Sequence, residues 1–387
     1  MSDPLTPTER RTDRPWRRIA LALIALLAVA VGLWLADRGV FKRSAPPTPP
    51  AVIGERVDPG VVSAVTLFRD RVLAAPRSAE AWGKLGMVFM ANSFFAEACD
   101  CFAEAARLDP AEPRWPYLRG YTLLARADSQ IDNPLTDLRR ADSLGGDAHP
   151  AVRLKLAEEL LVRGEVEESD RLFRQVLDRA PTDARARLGL ARVAHRRGDE
   201  AACREHLQVA VADPLTRKPA LLLLAEVDLR QGRRAAAEQG MQTARELPPP
   251  PLAPDPFYDE VESLKAGRDG LMSRAGTLRR QDRLADAVEL LTQATRDYPD
   301  APEPWLQLGR VELQRGNLSA AAAALANAVR LDDGLVEGHV NLGIALYQLG
   351  RQSDALTHFR RATQLMPSHG QAWYNQGQCL RQAGQRE

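Results

Sequence analysis

Residues 302–335 read PEPWLQLGRVELQRGNLSAAAAALANAVRLDDGL, and residues 336–369 read VEGHVNLGIALYQLGRQSDALTHFRRATQLMPSH. Laid one above the other, they bring Trp305 over His339, Leu308 over Leu342 and Gly309 over Gly343. Further along, Gly316 meets Gly350, Ala321 meets Ala355, Leu325 meets Phe359 and Ala328 meets Ala362. A third row starts at residue 370 and places Trp373, Gln376, Gly377 and Gly384 in the same columns. A fixed 34-residue period is the signature of a repeat architecture, in which each unit buries its apolar face only against its neighbours.

The pattern dictates what each unit is. Apolar residues recur at helical spacing on either side of Gly350, so a unit is two short amphipathic helices joined by a tight turn. Glycine at the turn tolerates a positive φ. Gly343 and Ala355 are small where the helices cross, whereas Trp305, Leu308, Phe359 and Ala362 fill the seam. Pro367 ends the second helix because it cannot continue the hydrogen-bond ladder.

The same register runs back through the chain. Residues 79–112 carry Trp82, Leu85, Gly86, Ala98, Phe102, Ala105 and Pro110 in phase. Residues 150–183, 184–217, 218–251 and 268–301 follow, and residues 58–76 read as a lone second helix with Ala64, Phe68 and Pro76. Two stretches depart from it. Residues 113–149 form a degenerate 37-residue unit with Pro116 inside its first turn. Residues 248–256, PPPPLAPDP, hold six prolines in nine residues and break any helix there. We read residues 252–267 as a Pro-rich spacer, either a hinge between two blocks or an insertion between stacked repeats.

These residues resemble the tetratricopeptide repeat, whose pattern is W-x2-L-G-x2-Y followed by Ala, an aromatic residue, Ala and Pro. The resemblance covers residues 58–387. It implies an all-α, right-handed superhelical solenoid of helix pairs, with an N-terminal array at 58–251 and a C-terminal array at 268–387 closed by a capping helix. It also implies a concave groove lined by the first helix of each repeat. Carried over position by position, that groove takes Arg310 from one repeat, Asn341, Tyr347 and Gln348 from the next, and Tyr374, Asn375 and Gln378 from the last. Asn341 and Asn375 stand at one repeat position, where stacked amides resemble the ladders with which some members hold a peptide backbone. An amide both donates and accepts, so it suits an extended chain. Upstream, Arg192, His195 and Arg196 would form a positive patch suited to an acidic tail or a C-terminal carboxylate. The plain alternative is that all of these are solvated helix residues.

The start of the chain is of another kind. Residues 19–36, IALALIALLAVAVGLWLA, are 18 consecutive apolar or glycine residues. As a helix they span about 27 Å, close to a hydrocarbon core of roughly 30 Å. Trp16 and Trp34 flank the run at interfacial depth. Five arginines precede it in the basic tail 1–18, and Arg38, Lys42 and Arg43 follow, so the cation bias places the N-terminus in the cytoplasm. The expected arrangement is one transmembrane helix in a bacterial-type inner membrane, a Pro-rich linker at 37–57 and repeats in the periplasm. A cleaved signal peptide at Ala28-Val29-Ala30 is the rival reading.

Composition excludes several classes. A net charge of +1 argues against nucleic acid, and four cysteines cannot staple a chain this long. Cys99 and Cys101 lie two apart on a helix and point in nearly opposite directions, which suits neither a disulfide nor a chelate. No phosphate loop, metal motif, haem-attachment motif or nucleophile elbow is present. We expect no catalytic residues, no cofactor, no metal and no small-molecule substrate. The expected function is a membrane-anchored scaffold, not an enzyme, that binds a protein or peptide segment, with the bilayer as a second partner through residues 19–36. The alternative is a periplasmic client-holding or assembly factor for envelope proteins or cytochrome c maturation.

Overall fold

The computed structural model describes residues 47–52, 57–126 and 133–382. The chain divides into two units, Met1–Thr48 and Pro49–Glu387. The basic tail 1–18 and the expected transmembrane helix 19–36 lie outside the described residues, as do most of linker 37–57 and the final residues 383–387. Among the described residues no helix is long and apolar enough to cross a membrane.

The second unit is all helix among its described residues, with nineteen helices and no strand. After a lone α1 (Pro59–Ala74) come the pairs α2 (Ala79–Ala91) with α3 (Phe95–Leu108), α4 (Arg114–Ala125) with α5 (Pro134–Gly145), and α6 (Pro150–Val162) with α7 (Val166–Arg179). Next are α8 (Ala184–Arg197) with α9 (Glu200–Ala210) and α10 (Arg217–Arg230) with α11 (Arg234–Glu246). A short α12 (Pro256–Ser263) precedes α13 (Gly267–Arg280) with α14 (Leu284–Asp297), α15 (Pro302–Gln314) with α16 (Leu318–Leu331), and α17 (Val336–Gln348) with α18 (Gln352–Leu365). A final α19 (Gly370–Gln382) follows. Within each block a helix packs on its pair partner, and each second helix packs on the first helix of the next repeat. This is a solenoid.

Three local devices repeat with the period. The turn is left-handed in five units, with φ between 73° and 85° at Gly164, Gly198, Gly232, Gly316 and Gly350. At the helix crossing there is no room for a side chain: a Cβ on Gly343 would lie 2.5 Å from the Phe359 ring, and one on Gly309 2.4 Å from Leu325. The third device is a latch. Trp82, Trp305 and Trp373 each donate their indole N–H to the carbonyl six residues back, on Pro76, Pro299 and Pro367, at 3.1, 3.2 and 2.9 Å. Arg187 does the same to Pro181 at 2.8 Å. His339 stands in the tryptophan column and reaches the Asp333 carbonyl through Nε2 at 3.1 Å. The bonded carbonyls lie just past the preceding helix, where the backbone has no ladder partner. Where the column holds a side-chain N–H donor it latches that carbonyl, which tryptophan does best; Leu221 and Leu271 stand in the same column without one.

Pro116 is tolerated in the degenerate unit because it falls in the first turn of α4, where backbone N–H groups have no intrahelical acceptor.

The spacer 252–267 is not free of helix. Prolines keep the chain extended as far as Asp255, but Pro256 at the first helical position starts α12, since its fixed φ suits a helix start. Asp255 Oδ1 accepts from the N–H groups of Phe257 and Tyr258 at 3.2 and 3.1 Å, which caps the helix. The new helix packs against α2 and α4, and α13 then stacks on α1 rather than on α11. The C-terminal block thus begins beside the start of the N-terminal block. Phe257 and Val261 join its core, 8% and 1% exposed.

Candidate functional site

The first helices α17 and α19 carry five of the residues expected in the groove. Tyr347, Gln348, Tyr374, Asn375 and Gln378 line one cavity of about 370 Å³, together with Ile344 and with Phe359 as its floor. Each comes from a position where the helix turns its side chain away from the seam: Leu346, Gln376 and Cys379 face the core, and their neighbours in sequence face the cavity. Gln378 Nε2 donates to the Tyr374 hydroxyl at 2.7 Å, and its Oε1 accepts from Arg381 at 2.5 Å. Both ends of that amide are thus used within α19. Asn375 differs: its Nδ2 is buried and has no hydrogen-bond partner. A buried amide donor without a partner costs about 1–3 kcal/mol. Tyr374 is 66% exposed and Trp373 49%, leaving an aromatic edge open to solvent.

The other expected residues are placed elsewhere. Asn341 lies on α17, half-buried, and is not among the residues that line the cavity with Asn375. Arg310 on α15 pairs with Glu337 at 3.2 Å.

Arg192, His195 and Arg196 do come together, on α8, around a second cavity of about 460 Å³. Glu158 and Glu159 line the same cavity. His195 Nε2 lies 3.1 Å from Glu226 Oε1, and Glu226 also takes Arg230 at 3.1 Å. Carboxylates thus offset the cations that the sequence suggests as a positive patch. Glu158 and Glu226 stand at the repeat position of Arg192, one repeat to either side, so the 34-residue register already sets acids beside these cations.

All four cysteines are buried and free. Burial raises every one of these thiols, Cys203 to about 11, so they stay protonated. Among the described residues no cluster of three His, Cys, Asp or Glu could hold a metal ion.

A third cavity, about 930 Å³, was not anticipated from sequence. It lies beside α12, between Tyr117, Tyr121, Lys155 and Arg185 on one side and Arg274, Thr277, Glu289 and Gln293 on the other. Its one sequence signal is DPFYDEVES: a capping Asp, a Pro at the helix start, and Phe257 and Val261 four apart.

Residues 154–216, 274–335 and 336–369 match family models described as tetratricopeptide repeat. Among curated proteins, the chain is similar to tetratricopeptide repeat protein 34 of Homo sapiens, 28% identical over 304 residues and covering 70% of this chain. The chain spans about half of that protein's length, 53%. Among solved structures, it is similar to a human IFIT1 dimer with PPP-AAAA (15% identity, 79% of this chain, 68% of that chain, TM-score 0.36). It is also similar to YrrB, described as a TPR protein with an unusual peptide-binding site (15% identity, 58% of this chain, 89% of that chain, TM-score 0.24). Tetratricopeptide repeats are therefore present in both blocks of the chain, where the 34-residue period places them.

Proposed function

We propose that the chain is a protein-interaction scaffold whose C-terminal groove holds an extended peptide segment. The observation that carries this reading is Asn375 Nδ2, buried without a partner in a cavity edged by the exposed Tyr374 ring. The amide would donate to a backbone carbonyl of the ligand, and Tyr347 and Tyr374 would cover its side chains. Many modest contacts on a preformed surface can bind without large rearrangement.

In the same proposal, residues 19–36 tether the scaffold to a bilayer, the prolines at 46–50 hold it off the surface, and the repeats lie on the periplasmic side. The 18-residue apolar run and the arginine bias support this.

Selection of displayed random peptides against the full chain tests the groove. Enriched peptides should lose about tenfold in affinity on Asn375→Ala, the equivalent of one lost hydrogen bond. Peptides that bind Asn375→Ala and Tyr374→Ala as well as the parent would remove the groove from the function. Protease digestion of a C-terminally tagged chain in intact, outer-membrane-permeabilised and lysed cells tests the orientation. Digestion after permeabilisation is expected; protection until full lysis would reverse it.

A further inference from the structure

The first helices of the N-terminal block carry a groove of their own, and it is not open. α12 lies in it, 138 residues from the tyrosine it engages: Tyr117 donates its hydroxyl to Asp255 Oδ2. The Phe257 ring sits edge-on to Tyr117 at 5.7 Å between centroids and 4.7 Å from the His149 ring. Tyr258 stacks on Tyr121 at 4.9 Å with 30° between planes, and Lys155 Nζ lies 4.8 Å from the centre of the Tyr121 ring. Glu260 pairs with Lys84 and lies 3.7 Å from Arg114.

Charge follows the same logic. Residues 255–263 hold four acids (Asp255, Asp259, Glu260 and Glu262) and no base. The helices around them present Lys84, Arg114, Lys155 and Arg185, which pair in addition with Glu80, Glu112, Glu159 and Glu158 of the same helices and their connections. Two aromatic seats, a tyrosine hydroxyl for a capping carboxylate and a cationic rim together describe a ligand-binding surface rather than a repeat seam. The contacts also stop short of filling the space, since a cavity of about 930 Å³ remains beside α12. The segment is joined to α11 only through the extended prolines 248–251, with Leu252 91% exposed.

We infer that the groove of α2, α4 and α6 is a recognition site for an acidic-aromatic peptide of the form Asp-Pro-aromatic-aromatic-acidic-acidic, which residues 255–263 occupy as an internal substitute. An incoming segment of that chemistry must displace α12. The short helix competes at high effective concentration because it is tethered on both sides. This site uses none of the C-terminal groove residues, so either can fail without the other.

The test uses the full chain and a labelled synthetic peptide, LAPDPFYDEVESL, which repeats residues 252–264. Binding is read by fluorescence anisotropy, and exposure of α12 by amide hydrogen exchange. The parent should bind weakly. The double variant Phe257→Ala/Glu260→Lys should expose α12 and bind the peptide at least tenfold more tightly. A peptide with alanine at both aromatic positions should not bind it. Glu260→Lys alone leaves the apolar seat intact, so it keeps the test valid if the double variant does not fold, and it should move binding in the same direction by a smaller factor. An exposed α12 without a gain in binding overturns the inference. So does an α12 that stays protected in both variants.

Discussion

The backbone N–H of Arg268 donates to Asp58 Oδ2 at 3.0 Å across 210 residues of chain. The same carboxylate accepts from Gly60 N at 2.7 Å and from the Tyr298 hydroxyl at 2.8 Å. One side chain therefore caps two helices, α1 and α13, where both N-terminal dipoles favour a negative charge. The fit is close: a Cβ on Gly267 would lie 2.6 Å from Asp58 Cγ, and Gly267 has φ of 65°. Asp58→Asn should destabilise this junction by about 1–2 kcal/mol, the loss of charge assistance to several hydrogen bonds. Hydrogen exchange should quicken at the starts of α1 and α13 and stay unchanged in α17–α19.

That junction is also acid-sensitive, with a definite sign. Burial alone would raise the Asp58 carboxyl, but donors from Arg268, Tyr298, Gly60 and Val61 outweigh it and hold it below its ordinary 3.8. The unfolded chain takes up the proton first on acidification. The contribution is thus full above about pH 4 and lost as pH falls through the lower folded value. Protection of α13 amides, corrected for the intrinsic pH dependence of exchange, should fall in that range in the parent and stay constant in Asp58→Asn.

Ser93 and Asp282 hold the left-handed turn position that glycine holds in five other repeats, with φ of 67° and 58°. A side chain there is strained. Ser93→Gly should stabilise its repeat by about 0.5–1 kcal/mol, net of the added freedom of the unfolded chain. Asp282→Gly should gain less, because aspartate tolerates this region better than serine. Urea melts of the two variants would check both sign and order.

Two glycines of the last repeats should respond in opposite directions. Gly343→Ala drives a methyl into the Phe359 ring and should cost about 1–3 kcal/mol. Gly377, inside α19, has open space around it, so Gly377→Ala should gain about 0.5–1 kcal/mol from helix propensity. Equal effects in thermal melts would contradict the packing described for α17 and α18.

His339 and His358 face each other through Nδ1 at 3.1 Å. The Asp333 carbonyl can only accept, so His339 Nε2 donates to it, and His358 must supply the proton between the rings. Burial lowers the pKa of His358 below its ordinary 6.5, and His339 lowers it further, against Asp354 and Asp333. The folded state resists a proton that the unfolded state accepts. Stability of the C-terminal repeats should therefore decline as pH falls below about 6.5 and be constant above it. His358→Gln should flatten that slope between pH 7.5 and 5.5 in thermal melts.

Much of the solenoid was legible because its contacts are local and periodic. Gly316 and Gly350, the Trp305 and Trp373 column and the Phe359 seam each recur at one spacing, so any single residue is backed by its counterparts. His339 falls in the tryptophan column for the same reason, although its bond to His358 has no counterpart at that spacing. The groove residues Tyr347, Tyr374 and Asn375 could be named from their repeat positions. Their burial could not, and neither could the unpartnered state of Asn375 Nδ2.

The sequence by itself determined the helix pairs, their turns and the order in which neighbours stack, because those follow from a pattern repeated every 34 residues. Only the tertiary structure decided that α13 stacks on α1, that α12 enters the N-terminal groove, and that Asp58 serves two helices. Those contacts join residues 138 to 240 positions apart through single side chains. No period marks them. Their partners meet only where stacking of the N-terminal repeats sets α1, α2 and α4 within reach of the chain that leaves the prolines.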